Sequence, residues 1–243
     1  MLTLLKRKKG RSVLLFLIFL VGCSPKQDQK VEDKIEQPTV VARPYLKVDT
    51  VNILSDKKLA LTKEYCKEHY GFDGYKLDTP RIVVVHYTAI DDLDATLNLF
   101  KKDNIASSRD YIKDFSSLNV GIHYVVDKAG NIYHLMPDTI VARHLIGFNH
   151  VALGIENIAA DSSGLTKEQV EANAKLITFL ANKYPTVEYM IGHHEYNDTS
   201  LPHYKYFRSL NPRYKPYGKI DPGDAFMTKL RYRLSSDGVV LKE

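Results

Sequence analysis

The chain has 243 residues, of which 44% are hydrophobic and 26% charged, a balance that is typical of a globular protein and excludes a collagen or a mostly disordered chain. The formal net charge is +5, but five basic side chains lie in residues 1–22; removing them from the 34 lysines and arginines leaves 29, equal to the 29 acidic residues. We therefore predict no nucleic-acid partner, because a neutral domain has no bulk attraction for a phosphate backbone.

The N-terminal residues have the features of an export signal. A basic stretch precedes ten apolar residues, 13–22, a length typical of a signal peptide and too short for a helix that spans a bilayer. The run ends at Cys23 and resembles a bacterial lipoprotein signal, in which the cysteine is lipid-modified; an ordinary secretory signal with a chance cysteine is the alternative. We predict a signal peptide over 1–22, a lipidated Cys23 that anchors the protein to a membrane, and a flexible tether over 23–46. Ser24 favours the outer membrane, so we expect a periplasmic location.

The rest of the chain shows no internal repeat and no second shift in composition. We predict a single folded domain over 47–235 and a short tail over 236–243. Cys66 is the second of two cysteines, so acylation of Cys23 leaves no partner for an intramolecular disulfide. We interpret Cys66 as a small buried apolar side chain rather than as a nucleophile.

The hydrophobic pattern of this domain alternates between strands and helices. Strands are predicted over 82–85, 122–127, 132–136, 152–158 and 187–191, and helices over 61–70, 91–102, 166–183 and 224–234. Thr62 is the predicted N-cap of the first helix, and Thr166 with Gln169 predicts a capping box at the third. This order predicts an α/β fold with a mixed central β-sheet flanked by helices.

Histidines follow two of the predicted strands at the point where each strand ends. His86 comes directly after a buried strand, and His193 and His194 follow a second one. Polar residues at the ends of central strands face the crevice where α/β sheets bind ligands. Two imidazoles and one carboxylate, such as Asp221 further along the chain, form the three-ligand set of a catalytic zinc site. Because these segments are far apart in the sequence, spacing alone leaves the metal site as one interpretation.

Six short motifs occur in one order along the chain. They are Val84-Val-His-Tyr-Thr88, Gly121-Ile-His-Tyr-Val125, Ala142-Arg-His144, Gly154-Ile-Glu-Asn157, Ile191-Gly-His193 and Lys219-Ile-Asp-Pro-Gly-Asp-Ala-Phe226. Together they resemble the zinc-dependent N-acetylmuramoyl-L-alanine amidases of the type 2 family, which are related to phage lysozyme-type amidases and to peptidoglycan recognition proteins. The resemblance covers residues 80–230, and its most specific element is the last motif.

The resemblance implies a hydrolase with a metal site in a surface cleft of the domain 47–235. By position, the residues that match functional residues of the family are His86, His193 and Asp221 as ligands of one zinc ion per chain, Glu156 as the acid/base carboxylate, Lys219 as the cation beside the reacting carbonyl, and His144 as a candidate substrate-binding residue. The implied reaction is cleavage of the amide bond between N-acetylmuramic acid and L-alanine in peptidoglycan or muropeptides, during cell-wall turnover or remodelling.

One departure from the family is the long segment 194–220, which places 27 residues between His193 and Asp221. This insertion lines the cleft or forms a surface flap packed by its own aromatic residues. It also contains His203, a rival for the third ligand, although the intact motif around Asp221 favours the aspartate. His194 is a rival for the second ligand; neighbouring strand residues face opposite ways, so His193 and His194 are not both expected on one ion.

Two other functions compete with the amidase interpretation. The first is a non-catalytic lipoprotein that binds peptidoglycan, since the same fold binds without cutting in some relatives. The second is a zinc peptidase that cuts within the stem peptide. The presence of all three proposed ligands favours the enzyme, and the identity of the released fragments separates an amidase from a peptidase. The sequence makes no prediction of the oligomeric state.

Overall fold

The computed structural model of the protein describes residues 46–243. The predicted signal peptide, the lipidated Cys23 and nearly all of the tether lie outside the described residues. Within the described part of the chain, each helix is too short or too polar to cross a membrane.

Six strands and five α-helices make up the domain. The strands are β1 (Asp49–Thr50), β2 (Ile82–Tyr87), β3 (Tyr124–Val126), β4 (Ile132–His134), β5 (Ala152–Asn157) and β6 (Tyr189–Gly192). The helices are α1 (Asp56–Tyr70), α2 (Leu93–Lys101), α3 (Asp110–Lys113), α4 (Lys167–Lys183) and α5 (Asp224–Ser236). Three 3₁₀ turns cover Ser162–Gly164, His193–Glu195 and Pro202–Tyr206.

The strands form one mixed sheet in the order β1-β4-β3-β5-β2-β6. The β3–β4 hairpin is antiparallel, and the other neighbouring pairs are parallel. Successive strand residues face opposite sides of the sheet. Val125 accordingly packs with Leu97 and Phe100 of α2, whereas its neighbours Tyr124 and Val126 belong to the core that α4 shares. The predicted fold class, a mixed central sheet flanked by helices, is therefore confirmed.

Local capping residues decide where two of the helices begin. At α4 the predicted capping box is present: the Thr166 side chain accepts from the Gln169 backbone, and the Gln169 side chain accepts from the Thr166 backbone. At α1 the prediction of Thr62 as N-cap is wrong. Ser55 caps the helix by accepting from the Lys58 backbone, while the hydroxyl of Thr62 lies inside the helix and donates to the Lys58 carbonyl. The helix therefore has an additional turn at its N-terminus.

The end of the chain also differs from the prediction. Residues 236–243, predicted as a tail, begin at the last residue of α5 and then return to the sheet. The Lys242 backbone donates to the Glu188 carbonyl and accepts from the Met190 backbone, so Lys242 lies parallel to β6. The outer edge of β6 is therefore covered by the chain's own final residues.

Candidate metal centre

The strand register brings three functional side chains into one row. His86 of β2 lies opposite Glu156 of β5, and Val85 lies opposite Gly192 of β6. His193 directly follows Gly192, so it comes next to His86 on the other side. Because β5, β2 and β6 are adjacent and parallel, their carboxyl ends meet at one edge of the sheet. The hydrophobic strands therefore position Glu156, His86 and His193 side by side.

Asp221 joins this row from the loop that precedes α5. The backbone N–H of His194 donates to the Asp221 carbonyl oxygen at 2.8 Å, which ties this loop to the end of β6. Gly223 follows with a φ of +90°, a left-handed conformation that favours glycine, and α5 begins at the next residue. The chain thus turns sharply at Gly223 and enters α5. The carboxylate of Asp221, just before this turn, faces the ends of β2 and β6.

Three potential ligand atoms converge at this point. Nδ1 of His86 lies 2.9 Å from Nδ1 of His193, and Oδ2 of Asp221 lies 3.2 Å and 2.9 Å from these two nitrogens. Within residues 46–243, His86, His193 and Asp221 form the one group of three or more such side chains close enough to hold a metal ion together. The structure therefore brings together the three residues predicted as ligands.

The charge states of these groups suit a cation. Burial lowers the pKa of His193 to about 3, with the neighbouring His86 as a second cause, so its imidazole is neutral at pH 7. Burial acts to raise the pKa of Asp221, but hydrogen bonds with His193 and His86 outweigh it and hold that pKa below its usual range. The centre thus offers a neutral His193 imidazole and the ionised Asp221 carboxylate beside His86.

The donor set fits a zinc ion. If both Nδ1 atoms carried protons for the carboxylate, the two N–H groups would face each other at 2.9 Å with no acceptor between them. Three lone pairs aimed at one point are satisfied by a cation instead. Tetrahedral ligands at ~2.0–2.1 Å from zinc lie ~3.3 Å apart, close to the separations of these three atoms. The site is therefore a candidate centre for a single zinc ion.

Glu156 lies beside this centre on β5 and has an unusual electrostatic environment. Burial raises its pKa to about 7, although the positive charges of Arg109 and Lys219 act to lower it. Its Oε2 atom is buried and has no hydrogen-bond partner among residues 46–243. A carboxyl group that titrates near neutrality and faces a metal centre is suited to transfer protons.

A cleft of about 460 Å³ opens over the centre. Its lining includes His86, His193, Asp221, Glu156, Lys219 and Tyr217. The size lies within the range of sites for small organic ligands. Lys219 therefore lines the same cleft as the three predicted ligands and Glu156, and Tyr217 of the insertion lines it as well.

His144 lies next to the first ligand as well as in the cleft. Its Nδ1 is 3.1 Å from Nε2 of His86, and the two rings meet edge to face. Gly154 leaves room for this ring, because a Cβ at that position would lie 2.8 Å from His144. Substrate binding by His144 stays a prediction; the contact that the structure gives it is with His86, a predicted metal ligand.

Neither rival ligand reaches the centre. His193 and His194 lie in a 3₁₀ turn instead of a strand, and the ring nitrogens of His194 lie 3.1 Å from the Asp221 carbonyl oxygen and 2.9 Å from Asp224 Oδ1. His203 is buried within the insertion, with its Nε2 at 3.3 Å from the Tyr196 carbonyl oxygen. Both histidines thus have structural contacts of their own.

The sequence comparison assigns the chain to a family. Residues 76–223 match the family model described as N-acetylmuramoyl-L-alanine amidase. The match covers more than half of the chain, and the chain belongs to this amidase family, as its six motifs predicted. No curated protein sequence matches the chain.

Solved structures similar to the chain include amidases and peptidoglycan recognition proteins by name. The endolysin N-acetylmuramoyl-L-alanine amidase LysCS from Clostridium intestinale URNW is 21% identical, with a TM-score of 0.41 and coverage of 64% of this chain and 86% of that one. A selenomethionine derivative of AmpD is 21% identical, with a TM-score of 0.46 and coverage of 65% and 86%. The peptidoglycan recognition protein PGRP-SA from Apis mellifera is 20% identical, with a TM-score of 0.40 and coverage of 53% and 79%. The family assignment rests on the sequence match and not on these likenesses.

Proposed function

We propose that the protein is a zinc-dependent amidase that hydrolyses the bond between N-acetylmuramic acid and L-alanine in peptidoglycan or muropeptides, and so takes part in cell-wall turnover or remodelling. The observation that carries this proposal is the convergence of His86, His193 and Asp221 beside Glu156, in a chain of the amidase family. When bound there, zinc polarises a carbonyl oxygen and lowers the pKa of water in the site.

Glu156 is the proton carrier in this proposal. Because its pKa is about 7, both its protonated and its ionised forms are populated at neutral pH. The ionised form accepts a proton from the attacking water, and the protonated form returns it to the amine that leaves. Its unpartnered Oε2 atom is free to make the hydrogen bond that this transfer needs.

Lys219 is the cationic group of the cleft in this proposal. When water attacks an amide, negative charge develops on the carbonyl oxygen. A lysine ammonium in the same cleft stabilises that charge, and it has three N–H donors with which to do so. The residue thus acts on the transition state rather than on the metal.

We also propose that Cys23 carries the lipid anchor and that the protein works in the periplasm, at the outer membrane. This proposal is supported by the basic and apolar residues that precede Cys23 and by Ser24 after it. Such a location would keep the enzyme next to the polymer that it cleaves. Mass spectrometry of the N-terminal fragment from membranes tests it, because a diacylated or triacylated Cys23 is the expected species.

The test of the proposed reaction is digestion of purified peptidoglycan by the full-length protein and by Glu156→Gln. We expect the variant to keep its zinc and to lose ~10²–10⁴-fold in rate, since it loses proton transfer but no metal ligand. Glu64→Gln, on an exposed position of α1, is the matched control and is expected to be fully active. A chelator should stop the wild-type reaction, and added zinc should restore it.

The released fragments distinguish the three interpretations. Intact stem peptides that begin with L-alanine support the amidase, and shorter peptides would point to a peptidase instead. Tight binding to peptidoglycan without any released fragment would favour a binding protein. Full activity of Glu156→Gln would remove Glu156 from the mechanism.

A further inference from the structure

We propose that Tyr217 is a positioning residue that holds the ammonium group of Lys219 in place for the reaction. The insertion 194–220 contributes to this positioning through Tyr196, which fixes the backbone of Tyr217. The inference rests on the proposed amidase function, because Lys219 matters only if a carbonyl oxygen acquires charge in the cleft. Neither the family motifs nor the predicted site residues include Tyr217.

The direct contact between the two side chains is the first observation. Nζ of Lys219 donates a hydrogen bond to the Tyr217 hydroxyl at 3.0 Å, and it also lies 4.3 Å from the centre of the Tyr217 ring. The two residues are separated by one position in a segment without helix or turn, so their side chains project on the same side. Lys219 has three N–H donors, and the contact with Tyr217 leaves two of them for a substrate carbonyl.

Free lysine side chains rotate about four bonds, and fixing them costs conformational entropy. An ammonium that is already held by an aromatic ring and a hydroxyl does not incur this cost when the charge develops. Preorganised charges are the ones that lower a reaction barrier most effectively. The contact with Tyr217 therefore acts on the rate of the chemical step.

Tyr217 is itself held firmly, which is the second observation. The Tyr196 hydroxyl donates to the Tyr217 carbonyl oxygen at 3.0 Å and accepts from the Tyr217 N–H at 2.8 Å. The ring of Tyr111 packs against the Tyr217 ring at 5.3 Å, edge to face. The Tyr217 backbone and ring are thus fixed from two sides, so the hydroxyl that Lys219 uses has a defined position.

Tyr196 connects this support to the metal centre. It is fully buried, its ring lies 5.0 Å from the ring of His193, and its N–H bonds to the His193 carbonyl oxygen. One tyrosine therefore contacts the segment of the second ligand and also clamps the segment that leads to Lys219 and Asp221. Both Tyr196 and Tyr217 belong to the insertion between His193 and Asp221. In this proposal these inserted residues therefore position Lys219.

The experiment compares Tyr217→Phe with the wild type in the full-length protein, on purified muropeptide, with kcat, KM, zinc affinity and melting temperature as readouts. The variant keeps the ring and removes the hydroxyl. Loss of one hydrogen bond to a charged group predicts a kcat lower by about tenfold. We expect KM within twofold of the wild type, unchanged zinc affinity and an unchanged melting temperature. Tyr232→Phe, on an exposed tyrosine of α5, is the matched control and should behave as the wild type.

A double-mutant cycle with Lys219→Met shows whether Tyr217 acts through the lysine. In the Lys219→Met background, Tyr217→Phe is expected to have no further effect on kcat. An unchanged kcat in the single variant would overturn the inference, and so would an equal loss with and without Lys219. A rise in KM as the main effect would mean that Tyr217 binds substrate instead. Absence of amidase activity in the wild type would be a failure of the proposed function, and is therefore distinguishable from these results.

Tyr196→Phe gives an independent check on the support. It removes both hydrogen bonds to the Tyr217 backbone while keeping the aromatic ring of Tyr196. A lower kcat at unchanged zinc affinity supports the inference. An unchanged kcat in this variant, with a lower melting temperature, would show that the clamp serves stability alone and would count against it.

Discussion

Two carboxylic acids face the same cleft, and their pKa values shift in opposite directions. Burial raises the pKa of Glu156, because its ionised form loses water without gaining a hydrogen-bond partner among the described residues. Asp221 is half-buried, yet His193 and His86 hydrogen-bond to its carboxylate and lower its pKa. Hydrogen-bond partners rather than the extent of burial therefore decide which acid is suited to transfer a proton and which stays ionised, as the proposed metal ligand must.

The environment of Cys66 leads to a prediction at the same scale. Its side chain is fully buried, and burial raises its pKa to about 12, so almost no reactive thiolate exists at pH 8. In a Cys23→Ser variant, which has Cys66 as its single thiol, we expect no reaction with a thiol reagent such as dithionitrobenzoate in the folded protein. One equivalent should react after unfolding in guanidinium chloride. Rapid labelling of the folded protein would show that Cys66 is accessible.

At the scale of elements, one side chain of α1 reaches the C-terminal end of α2 and connects the two helices. Lys58 lies in the first turn of α1 and is almost completely buried. Its ammonium group donates to the carbonyl oxygens of Phe100 and Lys102, at the C-terminal end of α2. The last carbonyl groups of a helix have no partners within it and carry its negative dipole end, so a cation is favoured there.

Replacing Lys58 with methionine tests the importance of this contact. Methionine keeps most of the chain length but leaves two carbonyl oxygens without their donor, and we expect the free energy of unfolding to fall by ~1–3 kcal/mol. Lys57→Met, on the neighbouring exposed position, is the control and should change stability little. Urea denaturation measures both. Equal stability of the two variants would mean that water replaces the ammonium group.

Local signals explain which elements were predictable. The capping box of Thr166 and Gln169 is contained in four residues, and the start of α4 followed from it. The two-residue strand β1 exists because it pairs with β4, and β4 lies more than 80 residues away, so no local pattern marks it. The preference of threonine for N-caps predicts Thr62, but Ser55 occupies that position. Packing decides which of two candidate residues caps a helix. The capping preference of a single residue type carries no information about that packing.

The same distinction applies to the site. His86 and His193 were predictable because each follows an apolar strand, and parallel strands end at one edge. The role of Asp221 and Glu156 depended on the family motifs, since their distances from the histidines follow from the complete fold. The contact of Tyr217 with Lys219 was not predicted, because it requires Tyr196 to place the returning insertion. Tyr217 lies in the part of the insertion that precedes the last family motif, so no motif indicates it.

At the scale of the whole molecule, buried histidines make stability depend on pH. Burial lowers the pKa of His123 to about 4, and burial together with the positive charge of Arg208 lowers that of His150 to about 4. In the unfolded chain both groups take up protons near pH 6.5. Between about pH 6.5 and 4 the unfolded state therefore binds more protons, and the free energy of unfolding falls as the pH falls.

His150→Phe isolates one part of this dependence. Phenylalanine keeps a ring against Tyr70, which lies 4.6 Å from the His150 ring, but does not titrate. We expect the slope of unfolding free energy against pH to become shallower between pH 6.5 and 4, by up to ~1.4 kcal/mol per pH unit. Both proteins are measured by urea denaturation with excess chelator, so that metal binding does not add to the slope. Identical slopes would show that His150 takes up its proton at the same pH in the folded and the unfolded protein.

The covered border of β6 has a consequence for how the protein behaves in concentrated solution. A sheet with an open outer strand offers unpaired N–H and C=O groups to any other polypeptide, including copies of itself. Here one edge strand, β1, is only two residues long, and the other edge strand, β6, pairs with Lys242. Deleting the last few residues would expose β6, the strand that leads directly to His193, and is expected to make the protein prone to edge-to-edge aggregation. Expression vectors for this protein should accordingly keep its C-terminal residues intact.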